Sequence, residues 1–203
     1  MDLSFHPLSL EAIDQAGAEA LCLFVSEDER PLNGLAGLTD WRLAGRLSRM
    51  IRAGLVTGAS GEALLTPPGA RLAFGKLFVF GLGKEQSEAE LSARLSDALR
   101  RLAKAGVREA ALQLPARLPA EVGVRTLMDS EHSLARALLF ASEPGKMVTT
   151  LSQEASLPPM ERRTVKVSPP APAVPKPEPQ RPGQTGPQRY VPPPPKEQKK
   201  KRR

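Results

Sequence analysis

The stretch whose residue types and spacing come closest to chemistry is FVFGLGKEQS, 78–87. Large apolar residues run up to Gly81, Gly83 follows, and then come Lys84 and a polar segment of helical character. Strand, glycines, cation and helix start, in that order, can hold a phosphate. Glycine lets backbone N–H groups close on an oxyanion, and a helix N-terminus favours negative charge. Gly81-x-Gly83 also opens a dinucleotide fingerprint, but its third glycine would fall at Gln86, and Gln113 stands where a ribose-binding carboxylate is needed. Gly81, Gly83 and Lys84 are therefore a candidate anion site. The competing reading is that the two glycines only let the chain leave a crowded sheet and begin a helix.

Other chemistries have less to stand on. The two histidines, His6 and His132, are far apart in sequence, and HExxH and cysteine clusters do not occur. Asp28, Asp129 and Glu131 are carboxylates that could join a metal site, but each stands among other charges and reads as a solvated side chain. The single cysteine, Cys22, lies in the apolar run ALCLFV and reads as a small buried hydrophobe. A serine or cysteine nucleophile needs a base held beside it, and no nucleophile-elbow sequence is present. No catalytic residue, metal ligand or cofactor is expected. A row of cations, Arg42, Arg46, Arg49 and Arg52, could face an acidic partner or serve as the wet side of a helix. Trp41 and the six phenylalanines do not form an aromatic nucleic-acid-binding strand.

Charge divides the chain. Residues 1–150 carry 17 basic and 18 acidic side chains, whereas 151–203 carry 12 and 4, along with 14 of the 21 prolines. The formal charge of +7 thus belongs to the C-terminal segment. From 168 onward, proline repeats and VPPPPKEQKKKRR cannot build a core and read as a disordered tail with polyproline II stretches. Lys199, Lys200, Lys201, Arg202 and Arg203 are candidate contacts to a polyanion, non-specific and salt-sensitive. No apolar run is long enough for a transmembrane segment. The N-terminus lacks the pattern of a signal peptide, and a cytoplasmic protein is expected.

Whatever the glycine turn does, ordinary elements must hold it. Residues 3–8 read as an edge strand, 9–16 as a short helix capped by Ser9, and 20–25 as a strand covered on both faces. Leu43, Leu47, Met50 and Ile51 form one apolar stripe, which predicts a single helix from Thr39 or Asp40 to the stop at Gly54. Strands follow at 63–66 and 76–80. Ser87 with Glu90 is a capping box opening a helix to Lys104. A strand is expected at 110–114 and a helix at 121–140. Residues 1–145 then form one α/β domain with a mixed sheet, 146–167 an extension holding one more strand near 161–167, and 168–203 the tail.

Taken together, ALCLFVSEDERPLNG, GRLSRMIRAGLVTGASGEALLTPP and KLFVFGLG resemble the N-terminal domain of the leucyl (cytosol) aminopeptidases. The matching positions are Glu27, Asp28, Pro31, Leu32, Gly45, Leu47, Ile51, Gly54, Gly58, Gly61, Glu62, Gly81, Leu82 and Gly83, within 3–142. The resemblance implies a three-layer α/β/α, macro-domain-like fold. In that family, catalysis belongs to a separate C-terminal domain. There Lys, Asp and Glu hold two metal ions around an Asn-Thr-Asp-Ala-Glu-Gly-Arg motif, which does not occur here. No catalytic or metal position transfers. In the family this domain contributes to a hexamer and, in some members, to DNA binding.

Three functions follow as expectations. The first is a non-catalytic interaction or scaffold protein whose head binds a protein partner or self-associates, and whose tail contacts a protein, nucleic acid or anionic surface. The second is a macro-domain-type binder of an ADP-ribose-like ligand near Gly81–Gly83. The third is an accessory subunit of a complete aminopeptidase.

Overall fold

A computed structural model of the chain describes residues 1–84, 87–129, 132, 134–155 and 166–167. In chain order the elements are β1 (Asp2–Pro7), α1 (Leu10–Gln15), β2 (Ala18–Ser26), α2 (Gly34–Arg42), α3 (Arg46–Arg52), β3 (Ala63–Thr66) and β4 (Phe74–Gly83). Then come α4 (Glu88–Lys104), β5 (Glu109–Leu112), α5 (Ala120–Asp129), β6 (Arg136–Ala141), α6 (Pro144–Ala155) and β7 (Lys166–Val167). The strands form one sheet in the order β3-β4-β2-β5-β6-β1-β7, with β3–β4 antiparallel and every other pair parallel.

Side chains alternate along a strand, so a central strand feeds two cores at once. On one face Ala20, Cys22, Phe78, Phe80, Ala137 and Leu139 pack beneath α4, α5 and α6. On the other Leu21, Leu23, Val25, Val79, Leu138 and Phe140 pack beneath α1, α2 and α3. The result is a three-layer α/β/α domain with a mixed sheet. The longest helix, α4, has the capping box its sequence announces. Ser87 Oγ accepts from Glu90 N at 3.3 Å, and Glu90 Oε2 accepts from Ser87 N at 2.8 Å. Leu91, Leu95, Ala98, Leu99 and Leu102 are its buried stripe.

Two expected helices are corrected. The stripe through Leu43 and Leu47 belongs to two helices. Ala44 and Gly45 take left-handed backbone angles, with φ of 53° and 75°, and end α2. Asp40, nearly buried, then receives Ser48 N at 3.1 Å and so starts α3 against the end of α2. The helix expected over 121–140 stops at Asp129. Residues 136–141 form β6, an interior strand between β5 and β1 with Ala137 to Phe140 fully covered. Ala137 and Leu139 face one core and Leu138 and Phe140 the other, a pattern of period two.

Strand β1, read as an edge, pairs on both sides, with β6 along its length and with β7 at Asp2 and Leu3. The folded head also runs beyond residue 145, because α6 packs on the sheet and its Leu151 is buried. Residues 168–203 lie outside the described residues, and with them Lys199, Lys200, Lys201, Arg202 and Arg203.

Candidate functional site

The chain leaves β2 toward β4 and leaves β5 toward β6, in opposite directions along the sheet. Between the carboxyl ends of two such strands the connecting loops diverge, and a crevice opens there. A cleft of about 630 Å³ occupies this position. Its walls are the loop after β2 with Asp28 and Arg30, the start of α2 at Gly34 and Leu35, and the loop after β5 with Gln113 and Arg117. Cys22 lies at its floor, and burial pushes its thiol well above the usual range.

Several polar groups around the cleft are paired within the protein. Gln113 Oε1 accepts from Leu35 N at 2.7 Å and does the capping that Asn33 at the N-cap does not. A Cβ on Gly34 would meet the same oxygen at 2.4 Å, so the amide side chain lies tightly over the first turn of α2. Arg30 donates from Nη1 to the carbonyls of Ser26 (2.7 Å) and Glu29 (2.6 Å), and from Nη2 to Thr57 O (3.0 Å). Its guanidinium thereby ties the loop after β2 to the residues following α3. Across the mouth, Arg117 Nη2 lies 3.3 Å from Asp28 Oδ2.

Gly81 and Gly83 are not a turn after a strand; they are the last rungs of β4, beside Val25 and Ser26 of β2. Their amides are occupied. Gly81 N donates to Glu62 O and Gly83 N to Gly58 O, each at 2.8 Å. A Cβ at Gly81 would lie 2.0 Å from Ala59 O, and one at Gly58 would lie 2.8 Å from Ser26 C. The Glu62 carboxylate, in turn, accepts from Thr57 N at 2.9 Å and Gly58 N at 2.7 Å. The signature residues Gly58, Gly61, Glu62, Gly81 and Gly83 thus clasp the 57–62 turn onto the ends of β2 and β4. Lys84 is largely exposed and has Glu27 Oε2 at 3.9 Å.

The four arginines do not form one row. Arg42 is held on α1 by both oxygens of Asp14. Arg46 donates to Thr66 Oγ1 and Pro67 O, each at 2.9 Å. Arg49 donates to Ala44 O at 2.7 Å and is otherwise open, as is Arg52. His6 sits in β1 with Nε2 3.0 Å from Ser4 Oγ, and His132 is buried between Leu127 O and Leu134 N. Among the described residues no group of three or more His, Cys, Asp or Glu side chains is placed to hold a metal ion. Asp129 ends α5, and Glu131 lies outside the described residues.

Sequence reading missed the parts of the cleft wall that matter most. Asn33-Gly34 before LAGL was a legible helix start, since glycine and asparagine favour such positions. Nothing in the sequence linked Gln113 to it.

A parallel-rich α/β/α sheet with a cleft at the strand ends is the architecture of a macro-domain-like fold. The family model described as "Cytosol aminopeptidase family, N-terminal domain" matches residues 20–136, and the chain belongs to that family. Among solved structures, a tomato leucine aminopeptidase mutant superposes with a TM-score of 0.54 at 14% identity, covering 76% of this chain and 35% of that one. The chain thus spans about a third of that enzyme's length. A Trypanosoma brucei macrodomain in complex with ADP-ribose gives 0.55 at 14% identity, covering 76% of this chain and 69% of that one. The macrodomain of Thermus aquaticus DarG gives 0.50 at 19%, covering 68% and 97%. At these identities the likeness is one of fold. No curated protein sequence matches the chain. Among the described residues, no helix is long and apolar enough to cross a membrane.

Proposed function

We propose that the chain is a non-catalytic interaction protein: an aminopeptidase N-terminal-type head that binds a protein partner, and a basic, proline-rich tail that contacts a protein or polyanion. The observation that carries this reading is the internal use of three of the cleft's donors. The Leu35 amide is taken by Gln113, Arg30 by three carbonyls and Arg117 by Asp28. A site built to act on a substrate keeps donors free for it. A cytoplasmic location belongs to the same proposal.

Two measurements test it. Leu-p-nitroanilide hydrolysis by the full chain, with manganese or zinc added, is expected to equal the metal-only blank, and turnover above it overturns the reading. Changing Lys199, Lys200, Lys201, Arg202 and Arg203 to glutamine should abolish salt-sensitive binding to a polyanion such as heparin. Retention of that binding removes the role given to the tail.

A second reading is favoured by the cleft at the strand ends together with the likeness in fold to a Trypanosoma brucei macrodomain in complex with ADP-ribose. Under it the chain binds an ADP-ribose-like ligand there, after Gln113 has moved off Leu35. Thermal shift with ADP-ribose separates the two: stabilisation at millimolar ligand supports the second reading, and no shift supports the first. Co-purification with a complete aminopeptidase would point instead to an accessory-subunit role.

A further inference from the structure

We propose that the corner between α2 and α3 docks an acidic amphipathic protein segment, with Trp41 and Leu55 as apolar anchors and the Arg49 and Arg52 cations between them. The proposal rests on the interaction reading above and gives that reading a surface and a partner chemistry.

Trp41 and Leu55 are the two most exposed large hydrophobic residues of the described chain, at 67% and 65%. Each is costly to leave in water, and tryptophan and arginine are the residue types that most often carry binding energy at interfaces. The hydrogen bonds bring Arg49 to the helix end that carries Trp41. Ala44 N donates to Trp41 O, and Arg49 Nη1 reaches Ala44 O, so the Arg49 guanidinium lies at the turn that begins with Trp41. Arg52 follows three residues on, and Leu55 N closes the helix end on Met50 O. Arg49 and Arg52, three residues apart, are exposed on α3, and Leu55 is exposed just past the left-handed Gly54 that ends it.

The charge of this corner is uncompensated. Among the described residues no carboxylate lies within ion-pair distance of Arg46, Arg49 or Arg52. The nearest acid in sequence, Asp40, is buried and spent on Ser48. Arg42 is neutralised by Asp14, and Arg46 is turned away to Thr66 and Pro67, which leaves Arg49 and Arg52 facing outward. A single nucleic-acid strand held by stacking would need successive aromatic faces. Here there is one indole, and the other anchor, Leu55, has no π-face. The complement is a protein segment with apolar residues for Trp41 and Leu55 and carboxylates for the two guanidinium groups, such as an amphipathic helix with leucines at i and i+7 and glutamates at i+3 and i+4.

The test uses the full chain and a labelled peptide of that design. Trp41 is the only tryptophan, so its emission reports the surface directly. Binding should shift the emission to the blue. In anisotropy titrations the Arg49→Glu/Arg52→Glu double variant should bind at least tenfold more weakly, and Leu55→Ser several-fold more weakly. Leu55→Ser should keep the unfolding midpoint of the parent, because its side chain is exposed; the double variant, which loses the Arg49–Ala44 bond and puts acids in the last turn of α3, should melt somewhat lower but remain folded at the assay temperature. A peptide with lysines in place of the glutamates should not bind. Peptide binding that leaves Trp41 emission unchanged overturns the proposal. So does binding that is lost when the five tail cations become glutamine but is indifferent to Arg49 and Arg52. Concentration-dependent burial of Trp41 without peptide gives the surface to a second copy and also overturns it. Failure here with tail-dependent heparin binding intact sinks the docking surface alone, whereas peptidase turnover sinks the wider reading.

Discussion

Gln113 Oε1 holds the amide of Leu35 at 2.7 Å, so the end of one central strand caps the helix that follows another. Helix starts leave backbone N–H groups without partners, and a side-chain oxygen there stabilises by about 1 kcal/mol. Gln113→Ala should therefore lower unfolding stability by about 1 kcal/mol. Gln113→Glu, which keeps an acceptor and adds negative charge at a helix N-terminus, should be close to neutral. Urea denaturation of both variants checks the pair.

Gly81 is expected to be among the least replaceable residues of the head. A methyl group there would sit 2.0 Å from Ala59 O and 2.8 Å from Gly58 C, both backbone atoms. Gly81→Ala should cost about 3 kcal/mol or more, through forced separation of the 57–62 turn from β4. Gly17 has open space around its Cβ position and an ordinary φ. Gly17→Ala should change stability by no more than about 0.5 kcal/mol. Thermal unfolding of the two variants side by side is the measurement.

Thr39 is fully buried in α2, and among the described residues its hydroxyl has no hydrogen-bond partner. An unmade buried hydrogen bond costs roughly 1–3 kcal/mol, and valine fills nearly the same volume without the polar atom. Thr39→Val should raise stability by about 1 kcal/mol, read as a higher urea midpoint with an unchanged m-value.

His6 gives the head a predictable acid sensitivity. Burial beside Phe140, and secondarily the Arg136 charge, hold its pKa below the ordinary 6.5. Below 6.5 the unfolded chain takes up a proton that the folded chain refuses, so stability falls as pH drops from 6.5 toward the lower folded value. His6→Phe should flatten that part of the profile. Melting temperatures between pH 5 and pH 8 provide the comparison, and parallel slopes for parent and variant would count against it.

Legibility followed the physics of each signal. The Ser87–Glu90 capping box and the leucine stripe of α4 are local, and the sequence carried them in full. The strand at 20–25 was legible because a short, continuous apolar run has few other uses. Failure came where one pattern fits two structures. Leu43, Leu47, Met50 and Ile51 satisfy helical spacing even though Ala44 and Gly45 interrupt the helix. RALLFA at the end of a long mixed segment joined the helix before it, although Leu138 and Phe140 serve one core and Ala137 and Leu139 the other. The cleft was least legible, because Gln113 and Leu35 meet only through tertiary structure. The glycine signature was legible as residues, but the hydrogen bonds by which it clasps the 57–62 turn onto β4 were not.

The register of β1 against β6 sets a timetable for this head. Asp2 pairs with Arg136 and Pro7 with Ala141, so β1 finds its neighbour only when the sheet is nearly complete. Contacts between distant chain positions form slowly, because a large loop must close before they reward it. During synthesis the N-terminal strand waits, apolar and unpaired, until residue 141 has emerged from the ribosome. The β2–β4–β3 half can assemble earlier from nearer contacts. Translation stalled short of 136–141 should therefore leave an aggregation-prone nascent chain, and stalling beyond it a folded one.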